Sequence, residues 1–251
     1  MASSTQTSVL QVRDLRVSFD SFELSIDELG VPKGLTLLLG ENGAGKTTLM
    51  RAVAGYLVPD AGRVNIEGQL SNPGDVRWQR LVAFVEDRPR VPKYLTLNDF
   101  LKITAASFDS QWDAALAERL LNTFELPGNR QMGKLSRGMA VKALIVVAAA
   151  ACPALLLMDE PTAVLDPLAR HEFLQLLSGL AESGSSRAML MSTHLLEDVS
   201  IKPTQIIVIA RGRAAKILFG DGLDDFISLP VEEKIREIAE WTKRNPEMSN
   251  A

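Results

Sequence analysis

Apolar residues change their spacing along the chain, and each change predicts an element. From Val9 to Phe22 they alternate with polar residues and turn formers, which predicts strands. Leu35 to Leu39 is an unbroken apolar run that stops at Gly40, the pattern of a strand buried on both faces. Lys46 to Leu57 switches to helical spacing and is ended by Pro59 and Gly62. Leu81 to Val85 predicts a further strand. Leu97 to Ala106 and Trp112 to Phe124 carry helical apolar spacing, with Asp109 or Ser110 as the expected cap of the second. Leu135 to Ala151 continues as helix. Beyond it come a strand at Leu155 to Met158, a helix at Pro167 to Ser183, and strands at Ala188 to Ser192 and Gln205 to Ala210. Val231 to Lys243 predicts a short amphipathic helix with Ile235, Ile238 and Trp241 near one face.

Strands alternating with helices predict an α/β fold with a mostly parallel sheet. Residues 88–152 read as a helical insertion between two parts of the core, 9–87 and 153–220. Residues 1–8 read as a disordered lead, and 221–251 as a tail with one short helix whose end, Arg244 to Ala251, frays. The apolar run between Lys142 and Asp159 is too short for the ~20 residues of a membrane span and is broken by Pro153. Met1 to Ser8 lacks the charged start and apolar centre of a signal peptide, so a cytosolic protein is expected. The single cysteine, Cys152, excludes an internal disulfide and is expected to be a small buried hydrophobe. The 251 residues suffice for one large domain, and a net charge of −4 argues against a nucleic-acid partner.

Gly40-Glu-Asn-Gly-Ala-Gly-Lys46-Thr47 matches the phosphate-binding P-loop, between a predicted strand and a predicted helix. Its glycines let backbone N–H groups converge on phosphate oxygens, and the following helix adds its positive end. Asn42, Gly43, Gly45, Lys46, Thr47 and Thr48 are the candidate nucleotide contacts. Lys46 is expected on the β- and γ-phosphates and Thr47 on Mg²⁺. Leu155-Leu-Leu-Met-Asp159-Glu160 is an apolar strand ending in two carboxylates. Asp159 suits the Mg²⁺; Glu160, diverging from it, suits the attacking water. Ser192-Thr193-His194 ends another apolar strand, and His194 is a candidate sensor of the γ-phosphate. His171, in a helical stretch, reads as plain surface.

Leu135-Ser-Arg-Gly-Met139 opens a helix just ahead of the carboxylate strand and resembles the LSGGQ signature of ABC ATPases. The order P-loop, helical insert, signature, Asp159-Glu160, the loop Ala163-Val-Leu-Asp166 and His194 resembles an ABC cassette over roughly residues 9 to 220. The resemblance implies a P-loop NTPase (RecA-like) core with an antiparallel N-terminal part and an inserted helical subdomain. It implies ATP sandwiched between the P-loop of one cassette and Ser136 and Gly138 of a second, identical or homologous one. Asp166 would cross that interface, and Phe19, or failing it Phe22, would stack on adenine. An integral membrane subunit would recognise the cargo and hold the chain at the inner face of the cell membrane.

Five positions in three segments depart from the family pattern. Asp87, or Glu86 if the register slips, stands where Gln is usual; it would contact nucleotide and Mg²⁺, but an ionised carboxylate donates no hydrogen bond. Arg137 and Met139 replace Gly and Gln of the signature, and Ala163 and Val164 replace Ser and Gly. The Trp112 region, this signature and the short length look similar to cassettes of bacterial exporters for drugs, peptides or lantibiotics. The Arg88 to Lys93 loop is a candidate docking element. The alternative is a soluble ABC ATPase, for cluster assembly or another non-transport process. A P-loop kinase or GTPase would leave the signature and His194 without roles.

Overall fold

The computed structural model describes residues 8–71, 74–88, 90–182 and 187–243. The lead Met1 to Thr7, the helix end at Ser183 and the tail Arg244 to Ala251 lie outside the described residues.

Strand β1 (Leu10–Phe19) pairs antiparallel with β2 (Phe22–Val31) and with β4 (Ala61–Ile66), which pairs with β5 (Gln69–Leu70). This four-stranded sheet has the order β2-β1-β4-β5. The stretch Val9 to Phe22, expected to form strands, holds β1 and only the start of β2, which runs on to Val31 to complete a hairpin. The second sheet contains β3 (Gly34–Leu39), β6 (Val82–Val85), β7 (Leu155–Asp159), β8 (Ala188–Thr193), β9 (Gln205–Ala210) and β10 (Arg213–Leu218) in the order β10-β9-β3-β8-β7-β6. All its pairings are parallel except β10 on β9, which closes one edge antiparallel.

Strands β3, β7 and β8 of the central sheet are buried on both faces, which is why they read as continuous apolar runs. Their alternate residues serve two cores. Leu35, Leu37 and Leu39 join a cluster on the helical side with Val146 and Phe173; Leu38, Leu157 and Leu190 join another with Leu15, Leu24 and Leu49 of the N-terminal part.

Helix α1 (Lys46–Ala54) follows β3, and α2 (Val76–Leu81) precedes β6. Between β6 and β7 run α3 (Leu97–Phe108), α4 (Ala114–Thr123) and α5 (Arg137–Ala150). Helix α6 (Pro167–Glu182) follows β7, and α7 (Asp221–Ser228) and α8 (Val231–Lys243) follow β10. Among the described residues no helix is long and apolar enough to cross a membrane.

Two local expectations are corrected. The cap of α4 is Asp113, whose carboxylate accepts from Leu116 N at 2.8 Å; Asp109 to Gln111 form a separate 3-10 turn. Tertiary bonds choose between these similar caps: Asp113 N donates to Ala150 O at 2.8 Å, and the Gln111 amide to Arg80 O and Cys152 O. Cys152 is half-buried rather than buried. It has φ 47° just past α5, and Arg187 donates to its Sγ at 3.4 Å. Ile238 and Trp241 of α8 pack on the core, Trp241 lying 5.3 Å from Phe226 between ring centres, whereas Ile235 is exposed.

Candidate active site

The carboxyl ends of β3, β7 and β8, adjacent in the central sheet, bring three motifs together at the edge where parallel sheets bind ligands. The chain leaves β3 through Gly40 and enters α1 through Gly45, at φ 110°. The positive φ requires glycine there, and a Cβ would in addition press on the Phe22 side chain, 2.9 Å from its Cζ. Lys46 is 5% exposed and folds back over its own loop. Its Nζ donates to Gly40 O at 2.7 Å and Glu41 O at 3.1 Å, and pairs with Glu160 Oε1 at 3.2 Å. Asn42 and Gly43 are exposed at the mouth; Thr47 and Thr48 are half-buried in the first turn of α1.

Strand β7 delivers the two acids in different directions. Asp159 is buried and accepts from Thr47 Oγ1 at 2.7 Å and from Ser192 Oγ at 2.6 Å. At Glu160 the backbone turns to φ 48°, and its N–H donates to the same Ser192 Oγ at 3.0 Å. That turn aims the Glu160 side chain at Lys46 on one side and at His194 Nδ1, 2.6 Å from Oε2, on the other. Lys46, Thr47, Asp159, Glu160 and His194 thus form one connected polar chain.

Thr47 and Asp159 also fit Mg²⁺. A hydroxyl and one carboxylate are hard oxygen donors too few to enclose a cation, which suits an ion that keeps waters and phosphate oxygens. Among the described residues no group of three or more His, Cys, Asp or Glu is placed to hold a metal by itself.

Asp87 follows β6 and lines a cleft of about 540 Å³ together with Thr47, Asp159, Glu160 and Arg137. Glu86 pairs instead with Arg51 at 3.0 Å. Ser136 caps α5, its Oγ accepting from Met139 N at 3.2 Å, and Gly138 packs against the Val164-Leu165 backbone and side chain. Asp166 caps α6 through Leu168 N and Ala169 N. Phe19 is 51% exposed at the end of β1, its ring 6.3 Å from that of Phe22. A second cleft of about 730 Å³ runs along Gly40 to Ala44 and His194 to α8.

A model of the ABC transporter family matches residues 27–163, more than half of the chain. The chain belongs to the ABC transporter ATP-binding family. It is 30% identical over 213 residues to the SkfA peptide export ATP-binding protein SkfE of Bacillus subtilis (strain 168), covering 83% of this cassette and 87% of that protein. It is 31% identical over 194 residues to the ABC transporter ATP-binding protein YtrB of the same organism, covering 76% of this chain but 65% of the relative. Among solved structures, an ATP-binding subunit of an ABC transporter superposes with a TM-score of 0.79 at 28% identity, over 92% of this chain and 100% of that one.

Two supports of the cassette's site escape a reading of motifs. Asp198 is fully buried and accepts from Thr193 Oγ1 at 2.5 Å, Thr162 Oγ1 at 3.0 Å and Arg170 Nε at 2.7 Å. It ties the loop after Glu160 to the loop carrying His194; its one sequence signal is an acid five residues beyond Thr193. Gly212 donates to Ala44 O at 2.9 Å and accepts from Ser25 N at 2.7 Å, joining the P-loop to β2.

Proposed function

We propose that this cassette hydrolyses ATP in a pair with a second cassette and so powers an integral membrane subunit, in the direction of export. The supporting observation is the placement of Glu160 between Lys46 and His194, beside the Thr47–Asp159 pair. In this reading the division is a core of 9–87 and 153–220, a helical insert of 88–152 and a tail of 221–251.

The residues supply the chemistry in order. The loop from Asn42 to Thr48 receives the phosphates, whose negative charge draws Lys46 Nζ off its own carbonyls and off Glu160. Mg²⁺, held by Thr47 and Asp159 with Asp87 near, would neutralise charge on the phosphate oxygens. Glu160, freed of its cation, orients and polarises the attacking water, and His194 fixes the carboxylate from behind. Phe19 is the candidate adenine platform, exposed at one end of the hairpin. Ser136 and Gly138 would complete the partner's site rather than their own. Export follows the named role of SkfE. A groove of about 320 Å³ lined by Tyr56, Phe84, Arg90 and Phe108 supports docking of a membrane subunit at the inner face of the membrane.

The test is a pull-down with the tagged Glu160→Gln chain and ATP from detergent-solubilised membranes of its source. A multi-span protein recovered in stoichiometric amount supports the transporter reading. Recovery of soluble proteins alone overturns the membrane part and leaves the ATPase part standing. Transport in vesicles reconstituted with that partner then gives the direction, and uptake where export is expected overturns the export assignment.

A further inference from the structure

Two of the positions at which this chain departs from the family pattern touch each other. Arg137, the second residue of the signature-like segment, donates through Nη2 to the Asp87 carboxylate and also to the Asp87 carbonyl at 3.2 Å. One guanidinium thus grips both the side chain and the backbone of a single residue. The contact joins the N-terminus of α5 to the loop that follows β6, elements fifty residues apart in sequence. Both residues line the cleft that holds Thr47, Asp159 and Glu160. Arg88 Nε stands 3.7 Å from the other oxygen of Asp87, so the carboxylate is held from two sides.

A neutral amide at position 87 would need no counter-cation, whereas a carboxylate facing Asp159 and Glu160 does. The same carboxylate is an oxygen ligand of the kind Mg²⁺ prefers. We propose that Arg137 is a positioning residue. It holds Asp87 back from the Thr47–Asp159 pair until the Mg²⁺–nucleotide competes for it, so that metal arrival breaks the tie between the signature helix and the core. The pair is half-exposed, so it holds by a factor of about two to five, weak enough for a doubly charged ion to displace. This inference rests on the ATPase reading above.

The test compares the full chain's dissociation constants for a non-hydrolysable ATP analogue in EDTA and in Mg²⁺. Its readout is the ratio of the two, which loss of folding alone does not raise. Arg137→Gln is expected to raise the ratio about two- to fivefold, because Mg²⁺ no longer competes with a guanidinium. Arg137→Lys, which keeps the charge, is expected to stay nearer the parent. In an Asp87→Asn background, Arg137→Gln is expected to leave the ratio where Asp87→Asn put it. A ratio unmoved by Arg137→Gln, or moved equally in both backgrounds, overturns the proposal while the ATPase reading survives. A parent chain that binds no analogue overturns both.

Discussion

Glu160 holds His194 by a 2.6 Å contact from Oε2 to Nδ1, while its other oxygen holds Lys46. The ring nitrogen in this contact orients the imidazole, and the imidazole in turn restricts the carboxylate to one direction. In the proposed mechanism a water positioned by Glu160 would therefore depend on His194 as well. Glu160→Gln keeps the shape and removes the basic oxygen. It is expected to slow phosphate release by about 10²–10⁴-fold while ATP binding persists. Turnover at the parent rate in a phosphate-release assay would show that Glu160 is not the base.

Lys46 makes its bonds with loop carbonyls and with Glu160, all groups that phosphate oxygens outcompete for an ammonium. Lys46→Ala removes the charge that pairs with the nucleotide, and charge-assisted bonds of this kind are worth about 1.5–3 kcal/mol. ATP affinity is expected to fall about tenfold to a hundredfold, read by titration calorimetry, with the circular dichroism spectrum unchanged. Parent affinity in the variant would remove the P-loop from the phosphate site.

The parts of this site that the sequence displays are those built from local pattern. The P-loop is legible because strand, glycine turn and helix follow one another within a few residues, and Asp159 and Glu160 because they end a run buried on both faces. Strand β2 is less legible: its burial follows no period of two, since Ser25 N–H donates to Gly212 O and the turn between β9 and β10 lies against Glu23 and Leu24. The α4 cap is ambiguous in the sequence because Asp109, Ser110 and Asp113 satisfy the same local preference, and bonds to Arg80, Ala150 and Cys152 select among them. Asp198 and Gly212 act through contacts across long stretches of chain, which no spacing announces.

Asp198 is the acceptor for two buried hydroxyls and one guanidinium. Asp198→Ala leaves these donors unpaired, at a cost on the order of 3 kcal/mol. Thr162 and Thr193 flank the loops that carry Glu160 and His194, so the same change loosens the site. Both the urea midpoint and the turnover number are expected to fall. A variant with parent stability would mean that water replaces the carboxylate in the network.

Gly212 sits where the turn between β9 and β10 presses on β2, at φ 75°. A Cβ built there would lie 1.8 Å from Glu23 O and 3.2 Å from Leu24 Cα, both backbone atoms that cannot rotate away. Gly212→Ala must therefore separate the turn from β2, which disturbs the bonds from Gly212 to Ala44 and from Ser25 to Gly212. The left-handed backbone alone costs about 1–3 kcal/mol, which for a chain of this size lowers the melting temperature by about 2–4 °C for each kcal/mol. Because Ala44 belongs to the P-loop, the loss is expected in nucleotide affinity as well as in stability. Thermal unfolding with and without ATP separates the two effects. A variant that melts lower but gains the parent's shift on ATP addition would confine Gly212 to the fold and remove it from the site.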